Sequence, residues 1–356
     1  MKREVVAKIR LDALRHNLRV VRRRCPRSGV IAMVKANAYG HGLVPVAQAL
    51  ADADAFGVAV IDEALALRAG GVAKPIVIFA GVFSLPELRE AAARGFAVVV
   101  HHPEQIALLR QAQLAQPLDI WLKLETGMHR LGLSPVVADA AVMDLKGCAR
   151  TLGVMTHFAC ADEPANPLTE AQLQALLAFA RQHALPASAA NSGAIVAMPA
   201  AHLDSVRPGI MLYGGAPIAA QQAHEYDLQP VMTLGARVIA INDVPKGEGV
   251  GYGTIWHAPA AARVGVVGIG YGDGYPRHAA QGTPVRIGTQ LVPLIGRVSM
   301  DMITVDLTAH SAVRIGDEVV LWGEGLAADS IARHADTISY ELFCRLTSRV
   351  RFDYLP

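Results

Sequence analysis

A disulfide frame, a membrane span and a surface for polyanions each leave marks that this sequence lacks. The chain has only four cysteines in 356 residues, Cys25, Cys148, Cys160 and Cys344, with no CxxC pair and no even spacing. They read as reduced thiols of a cytosolic protein, which excludes a disulfide scaffold and a zinc site. No uncharged apolar run reaches the ~18–20 residues that a membrane span needs. The segment after Met1-Lys2-Arg3-Glu4 carries Lys8 and Arg10 where a signal peptide would be purely apolar, so the cytoplasm is the expected compartment. Net charge is only +2, which gives no reason to expect nucleic acid or an acidic membrane as partner. The one basic run, Arg22-Arg23-Arg24, ends an amphipathic segment and reads as a solvated helix end at the negative pole of its dipole.

What the chain does have is packing material: 52% hydrophobic residues against 18% charged, with 32 Gly and 20 Pro, the profile of an α/β enzyme. From about residue 12 to 210, short β-branched runs alternate with Ala/Leu-rich helical segments. Strands are expected at Val30–Val34, Phe56–Ala59, Ile76–Phe79, Ala97–Val100, Leu118–Lys123, Thr151–Thr156, Pro186–Ala190 and Leu203–Arg207. Helices are expected between them, among them Asp62–Ala69, Leu85–Arg94, Pro103–Gln113 and Thr169–His183, with Asp62, Ser84 and Thr169 as start signals. Strict alternation implies a parallel sheet, and eight units in about 200 residues fit a (β/α)8 TIM-type barrel. After Tyr213-Gly214-Gly215 the texture turns to Val, Gly and Thr with frequent turns. The expected organisation is therefore a barrel over 12–230 and a mostly β domain over 231–356, with the strand in residues 1–11 pairing with the latter.

Barrel enzymes build their sites where strands end at the C-terminal rim. Here the strand ends deliver Lys35-Ala36-Asn37-Ala38-Tyr39, Lys123 followed by Thr126-Gly127-Met128-His129-Arg130, His157, Asn191-Ser192-Gly193 and Arg207-Pro208-Gly209-Ile210. The clustering of cationic and polar groups on one rim points to a bound anion. The last two loops occupy the usual phosphate position of such barrels, although Arg207-Pro208-Gly209 alone would pass for a turn. Lys35 follows an apolar strand directly; it is either a snorkelling lysine or a desolvated, nucleophilic amine. A lysine, a phosphate cradle and an arginine together suggest pyridoxal 5′-phosphate.

The stretch Val34-Lys35-Ala36-Asn37-Ala38-Tyr39-Gly40-His41-Gly42 resembles the cofactor signature of the alanine racemases. The resemblance runs the whole chain through Trp121–Gly132, Thr156–Phe158, Val206–Ile210, Val250–Gly253, Gly270–Arg277, Gly296–Asp301 and Ser339–Glu341, and is nearest to the proteobacterial catabolic type. It implies a homodimeric isomerase that interconverts L- and D-alanine by two bases: Lys35, which also anchors the cofactor, and Tyr252 from the second subunit. It further implies phosphate contacts from Tyr39, Ser192, Gly209, Ile210 and Tyr340, and Arg207 on the pyridine nitrogen with His157 beside it. Arg130 and Met300 are implied to bind the substrate carboxylate, Lys123 to carry a carbamate, and Asp162, Arg277, Arg297 and Ile338 to narrow the passage to the site. Without the resemblance, Tyr252 between two glycines would be a turn tyrosine. Two residues depart from the family pattern, His129 for a common glycine and Ser299 for a common cysteine; they bear on substrate breadth, which keeps a broad-specificity racemase as the alternative. Arg207 argues against a decarboxylase of the same barrel type, which would place a glutamate there.

Overall fold

Near-continuous apolar runs such as Val30-Ile31-Ala32-Met33 need burial on both faces, which a parallel sheet backed by helices supplies. In the computed structural model, which describes residues 3–114 and 116–356, that requirement is met by closure. A first strand, β1 (Val6–Arg10), stands apart. The next eight, β2 (Gly29–Met33), β3 (Ala55–Val58), β4 (Ile76–Ile78), β5 (Ala97–Val100), β6 (Leu118–Lys123), β7 (Ala149–Met155), β8 (Ala187–Ser188) and β9 (Ser205–Val206), form a closed parallel barrel. Closure is made where β9 returns to β2, with Gly29 opposite Ser205 and Val30 opposite Val206. The TIM-type barrel and the mostly β second domain are as the sequence implies.

Local differences have local causes. The last two strands were expected to run five residues each, yet β8 and β9 hold only two apiece, because their ends feed directly into the polar loops of the rim. Ser84 does cap its helix, accepting from the Glu87 N–H at 3.3 Å. Asp62 does not: the helix Ile61–Ala69 starts after Val60 with no side-chain cap. Thr169 does not cap either, because Asn166 accepts the Leu168 N–H at 3.1 Å, one turn earlier. The arginines at the end of the first helix are tethered, Arg22 to Asp54 at 2.7 Å and Arg23 to Asp227 at 2.6 Å.

The barrel interior packs Ile31, Val77, Val99 and Met155 against Phe79 and Trp121. Small residues make room for the large ones: a Cβ on Gly153 would sit 2.7 Å from the Trp121 ring.

Contact clustering divides the chain into two units; one holds Leu14–Leu212 and Ala216–Leu228, the other the stretch up to Ala13 with Tyr213–Gly215 and Gln229–Pro356. The second unit is built on an eight-stranded sheet. Its longest strand, β10 (Met232–Val244), pairs antiparallel with β1, and β1 pairs in parallel with the C-terminal strand Arg351–Leu355. Both chain ends are thereby stitched into the same unit. No helix among the described residues is long and apolar enough to cross a membrane.

Gly153→Val is expected to overpack the barrel against Trp121 and lower stability by about 1–3 kcal/mol, measured as the shift in urea unfolding.

Candidate active site

The rim begins with a backbone oddity. β2 is buried through Val34, and the chain then leaves the sheet, so Lys35 is exposed rather than largely buried as its neighbours had suggested. Ala36, Asn37, Ala38 and Tyr39 follow with φ of 52°, 54°, 55° and 51°, one turn of left-handed helix. For L-residues other than asparagine this conformation costs roughly 1–2 kcal/mol each. Bonds hold the turn: Ala38 N–H donates to Val34 O at 2.8 Å, Gly40 N–H to Ala36 O at 2.9 Å, and Leu43 N–H to the Asn37 side chain at 2.9 Å. The result points Lys35 away from the sheet and turns Tyr39 back into the protein, where it is buried.

Lys123 ends β6, and the loop after it closes on itself through Leu133 N–H to Lys123 O at 2.9 Å. The Glu125 carboxylate sits inside that loop, accepting the Gly127 N–H at 2.5 Å and the His129 N–H at 2.9 Å, and so shapes the segment that presents Arg130. His129 takes φ 55° there. That is why glycine suits this position; the histidine ring is mostly in solvent, with Nδ1 3.8 Å from Glu125 Oε1. Buried Gln172 ties the neighbouring strand ends together, donating to His157 O at 3.0 Å and to Thr126 Oγ1 at 3.2 Å.

Arg207 is buried, 4% exposed. Its partners are all neutral: Nη1 donates to Ser188 Oγ at 2.5 Å, and Nη2 to Thr156 O at 2.6 Å and Ala189 O at 2.9 Å. Ser188 in turn donates to Ser205 O at 2.8 Å. These bonds use three of the five guanidinium N–H groups and leave Nε–H and one Nη1–H for a ligand. Burial alone lowers its pKa to about 10, still a cation at neutral pH. Next to it, Ser192 Oγ accepts the Gly209 N–H at 3.0 Å, and a Cβ on Gly209 would lie 2.4 Å from the Tyr39 hydroxyl. Only glycine allows that close approach.

Charges converge on this rim. Burial, then Arg207, Lys123, Arg130 and Lys35, hold His157 well below the usual histidine range, so it is neutral. Burial, then Arg207, Arg130 and Lys35, push Lys123 down to about 8, with Glu125 opposing. Lys35, Lys123, Arg130, His157 and Arg207 are therefore brought together, with one acid among the charges acting on Lys123. Such a surplus asks for an anionic ligand.

The family models for the alanine racemase N-terminal domain and C-terminal domain match residues 9–217 and 231–354. The alanine racemase of Pectobacterium carotovorum is 49% identical over 352 residues, covering 98% of each chain. A biosynthetic alanine racemase of Salmonella typhimurium is 47% identical, covering 96% of this chain and 97% of its own. Among solved structures, the biosynthetic alanine racemase of Pseudomonas aeruginosa superposes with a TM-score of 0.97 at 44% identity over the full length of both. The alanine racemase of Bartonella henselae with covalently bound pyridoxal phosphate gives 0.89 at 28% identity over 99% of each chain.

The chain belongs to the alanine racemase family. It is an isomerase, and its cofactor is pyridoxal 5′-phosphate. The rim fits that group: Arg207 is a buried guanidinium without a carboxylate partner, and the Tyr39, Ser192 and Gly209 cradle would be filled by a single added Cβ.

The enzyme's second unit carries most of the remaining expected residues. Tyr252 stands on a single tight turn between Gly251 and Gly253, whose φ values are 74° and 72°, and is 72% exposed. Tyr340 lies in the first turn of the helix Ser339–Cys344 and is exposed. Arg277, Arg297 and Ile338 are exposed in this unit, and Asp162, whose carbonyl accepts the Ala219 N–H at 3.0 Å, belongs to the barrel unit. Met300 sits on a loop held from both sides. Tyr271 N–H donates to Ser299 O at 3.0 Å and Gly272 N–H to Met300 O at 2.9 Å. Asp273, fully buried, binds Arg3 and Arg349, and Arg349 reaches Asp301 at 2.5 Å. The Ser299 hydroxyl donates to Met302 O at 2.8 Å and accepts Met302 N–H at 3.1 Å, a bracket that the thiol of a cysteine would make only weakly.

Sequence reasoning missed Glu63, Glu125, Gln172, Ser188 and Asp273, all of which hold site loops or side chains. Gln172 alone left a usable signal, a polar residue in step with Leu173 and Leu176 on the apolar face of its helix. Removing Ser188 as acceptor (Ser188→Ala) is expected to cost about 1–3 kcal/mol in urea unfolding, because a buried Arg207 N–H loses its partner.

Proposed function

We propose that this enzyme interconverts L- and D-alanine with two opposed acid–base groups, Lys35 on one face of the substrate and Tyr252 of a second copy of the chain on the other. The observation that carries the reading is the convergence of Lys35, Lys123, Arg130 and Arg207 around neutral His157 at one barrel mouth. Enantiomers have equal free energy, so the Cα proton must be able to leave either face and return to the other; two bases are the economical solution. Bound pyridoxal 5′-phosphate supplies an aldehyde for the substrate amine and a conjugated ring that acidifies Cα. Lys35 anchors it and then takes or returns a proton at Nζ, while the Tyr252 hydroxyl does the same from the opposite side. Tyr39, Ser192, Gly209, Ile210 and Tyr340 bind the phosphate. Arg207, with two N–H groups uncommitted and its proton retained at neutral pH, donates to the ring nitrogen without protonating it, which disfavours transamination. Arg130 and the Met300 N–H bind the substrate carboxylate.

The homodimer is part of the same reading. Tyr252 at 72%, Ile338 at 60% and Met300 at 53% exposure are large groups left in water by this chain alone. Asp162, Arg277, Arg297 and Ile338 would narrow the passage between copies. The cytoplasmic site of action rests on the sequence alone. Because the equilibrium lies midway, the same chemistry serves D-alanine supply for peptidoglycan precursors and alanine breakdown, so the catabolic-type resemblance and the biosynthetic relatives are compatible.

Mixing tests the shared site. Lys35→Ala and Tyr252→Phe homodimers are each expected to lose at least about a hundredfold in kcat. Reassembled together, they should recover about a quarter of wild-type activity, since each mixed dimer regains one intact site. Absence of recovery would refute the shared site. Specificity is read from α-proton exchange in D2O: alanine should exchange fastest, and equal rates for serine, lysine or arginine would favour the broad-specificity alternative.

Lys123 is proposed to carry a carbamate that steadies Arg130. Its neutral amine attacks CO2, releases a proton to solvent and becomes an anion, which offsets the local cations. Only the neutral form reacts, and Lys123 is pushed down to about 8, so occupancy should rise as pH passes through that value and fall below it. Native mass spectrometry of the intact protein in bicarbonate buffers would follow the added mass of one CO2 and its loss in Lys123→Ala; an intact mass without that addition across the series refutes the assignment.

A further inference from the structure

Glu63 lies in the first turn of the helix Ile61–Ala69, in a stretch that no cofactor or substrate role reaches. Its two carboxylate oxygens serve different strand ends. Oε2 accepts the Ala59 N–H at 2.8 Å, just beyond β3, as a carboxylate near its own helix start commonly does. Oε1 instead crosses to the neighbouring strand and accepts the Ala36 N–H at 2.6 Å. Ala36 is the residue immediately after Lys35 and the first of the four in the left-handed turn. Both bonds are charge-assisted, and so stronger than a neutral pair.

We propose that Glu63 is a positioning residue: by fastening the Ala36 amide to the end of β3, it fixes the peptide plane from which Lys35 departs and so the direction in which the lysine presents its amine. The turn is disfavoured for Ala36, Ala38 and Tyr39 and persists only where its surroundings impose it. Its far end is held by Asn37 on Leu43 N–H, and its near end is held by Glu63. Between these two points the internal bonds from Gly40 N–H to Ala36 O and from Gly42 N–H to Asn37 O, 2.9 and 3.0 Å, set the pitch. With the Glu63 acceptor removed, the Lys35–Ala36 peptide loses its direct fastening and is spanned only by the Ala38 N–H to Val34 O bond, 2.8 Å, so it can tilt toward the right-handed form while the strand behind it stays in place. A small change of direction there is multiplied along the length of the lysine side chain. The proposal rests on the reading of Lys35 as the cofactor-bearing base.

The test uses the holoenzyme. Glu63→Gln keeps the shape but turns an amide N–H toward one of the two backbone donors, and Glu63→Ala removes both acceptors. For alanine, kcat is expected to fall about tenfold in Glu63→Gln and about a hundredfold in Glu63→Ala, with KM within about twofold, as a misaimed reacting group would give. Amide hydrogen exchange over residues 35–43 should accelerate about tenfold in both variants, with the remaining barrel strands unchanged. Asp62→Ala, one residue away, should alter neither. Wild-type kcat with unchanged exchange in both Glu63 variants would overturn the proposal. So would exchange that rises equally across the barrel, since that marks a general loss of stability. Borohydride reduction and peptide mapping of the wild-type holoenzyme separate the two ideas: cofactor found on another lysine defeats the reading of Lys35, whereas cofactor on Lys35 beside a normal Glu63→Ala enzyme defeats only the positioning role.

Discussion

A guanidinium taken wholly out of water is costly unless something compensates it, and Arg207 is compensated only by neutral oxygens. Much of the rim follows from that one constraint. Ser188 must be small and hydroxylated to accept from Arg207 while donating to Ser205 O, and β7 and β8 must end where they do so that the carbonyls of Thr156 and Ala189, just beyond them, face Arg207. The uncompensated charge then acts outward. It helps hold His157 neutral and pushes the Lys123 amine toward neutrality, so neighbouring cations become groups able to accept protons or react with electrophiles.

Carboxylates at this end of the barrel are used in a consistent way. Glu63 and Glu125 spend their oxygens on backbone N–H groups. An acid placed directly on Arg207 or Lys123 would cancel the field that a phosphate or a substrate carboxylate needs. Spent on the backbone, the same acid stiffens a loop and only partly opposes the field, as Glu125 does at Lys123. Asp273 does a related job in the second unit, where it joins Arg3 and Arg349 beneath the loop of Met300.

The barrel was legible because its physics is periodic. Apolar runs at strand length, alternating with helices, leave few arrangements other than a closed parallel sheet, and the residue after each strand then falls on one rim. Lys123, His157, Ser192 and Arg207 could be read from order alone. The exposure of Lys35 could not, since it depends on a left-handed turn that three ordinary residues, Ala36, Ala38 and Tyr39, do not signal. Ser188 and Glu63 were illegible for a different reason. Their partners lie 19 and 27 residues away in sequence, and a hydrogen bond between strand ends has no period. Tyr252 became functional in the reading only through the family motif; locally it is a tyrosine on a glycine turn, and its position in the structure keeps that description.

The choice of alanines over glycines in the turn after Lys35 is itself informative. Glycine would take φ near 50° without cost, yet it would also move freely between left- and right-handed forms. Ala36 and Ala38 make the turn harder to reach but give it fewer alternatives once the flanking bonds are in place. His129 follows the same logic on the opposite side of the mouth, strained at φ 55° and fastened by Glu125. Two segments that aim charged side chains, Lys35 and Arg130, are thus built from residues that resist their own backbone conformation and carboxylates that enforce it. For a reaction that must treat two mirror-image substrates from one fixed frame, a base with a single direction is worth more than a relaxed loop. The strain is the means by which an otherwise flexible lysine acquires that direction.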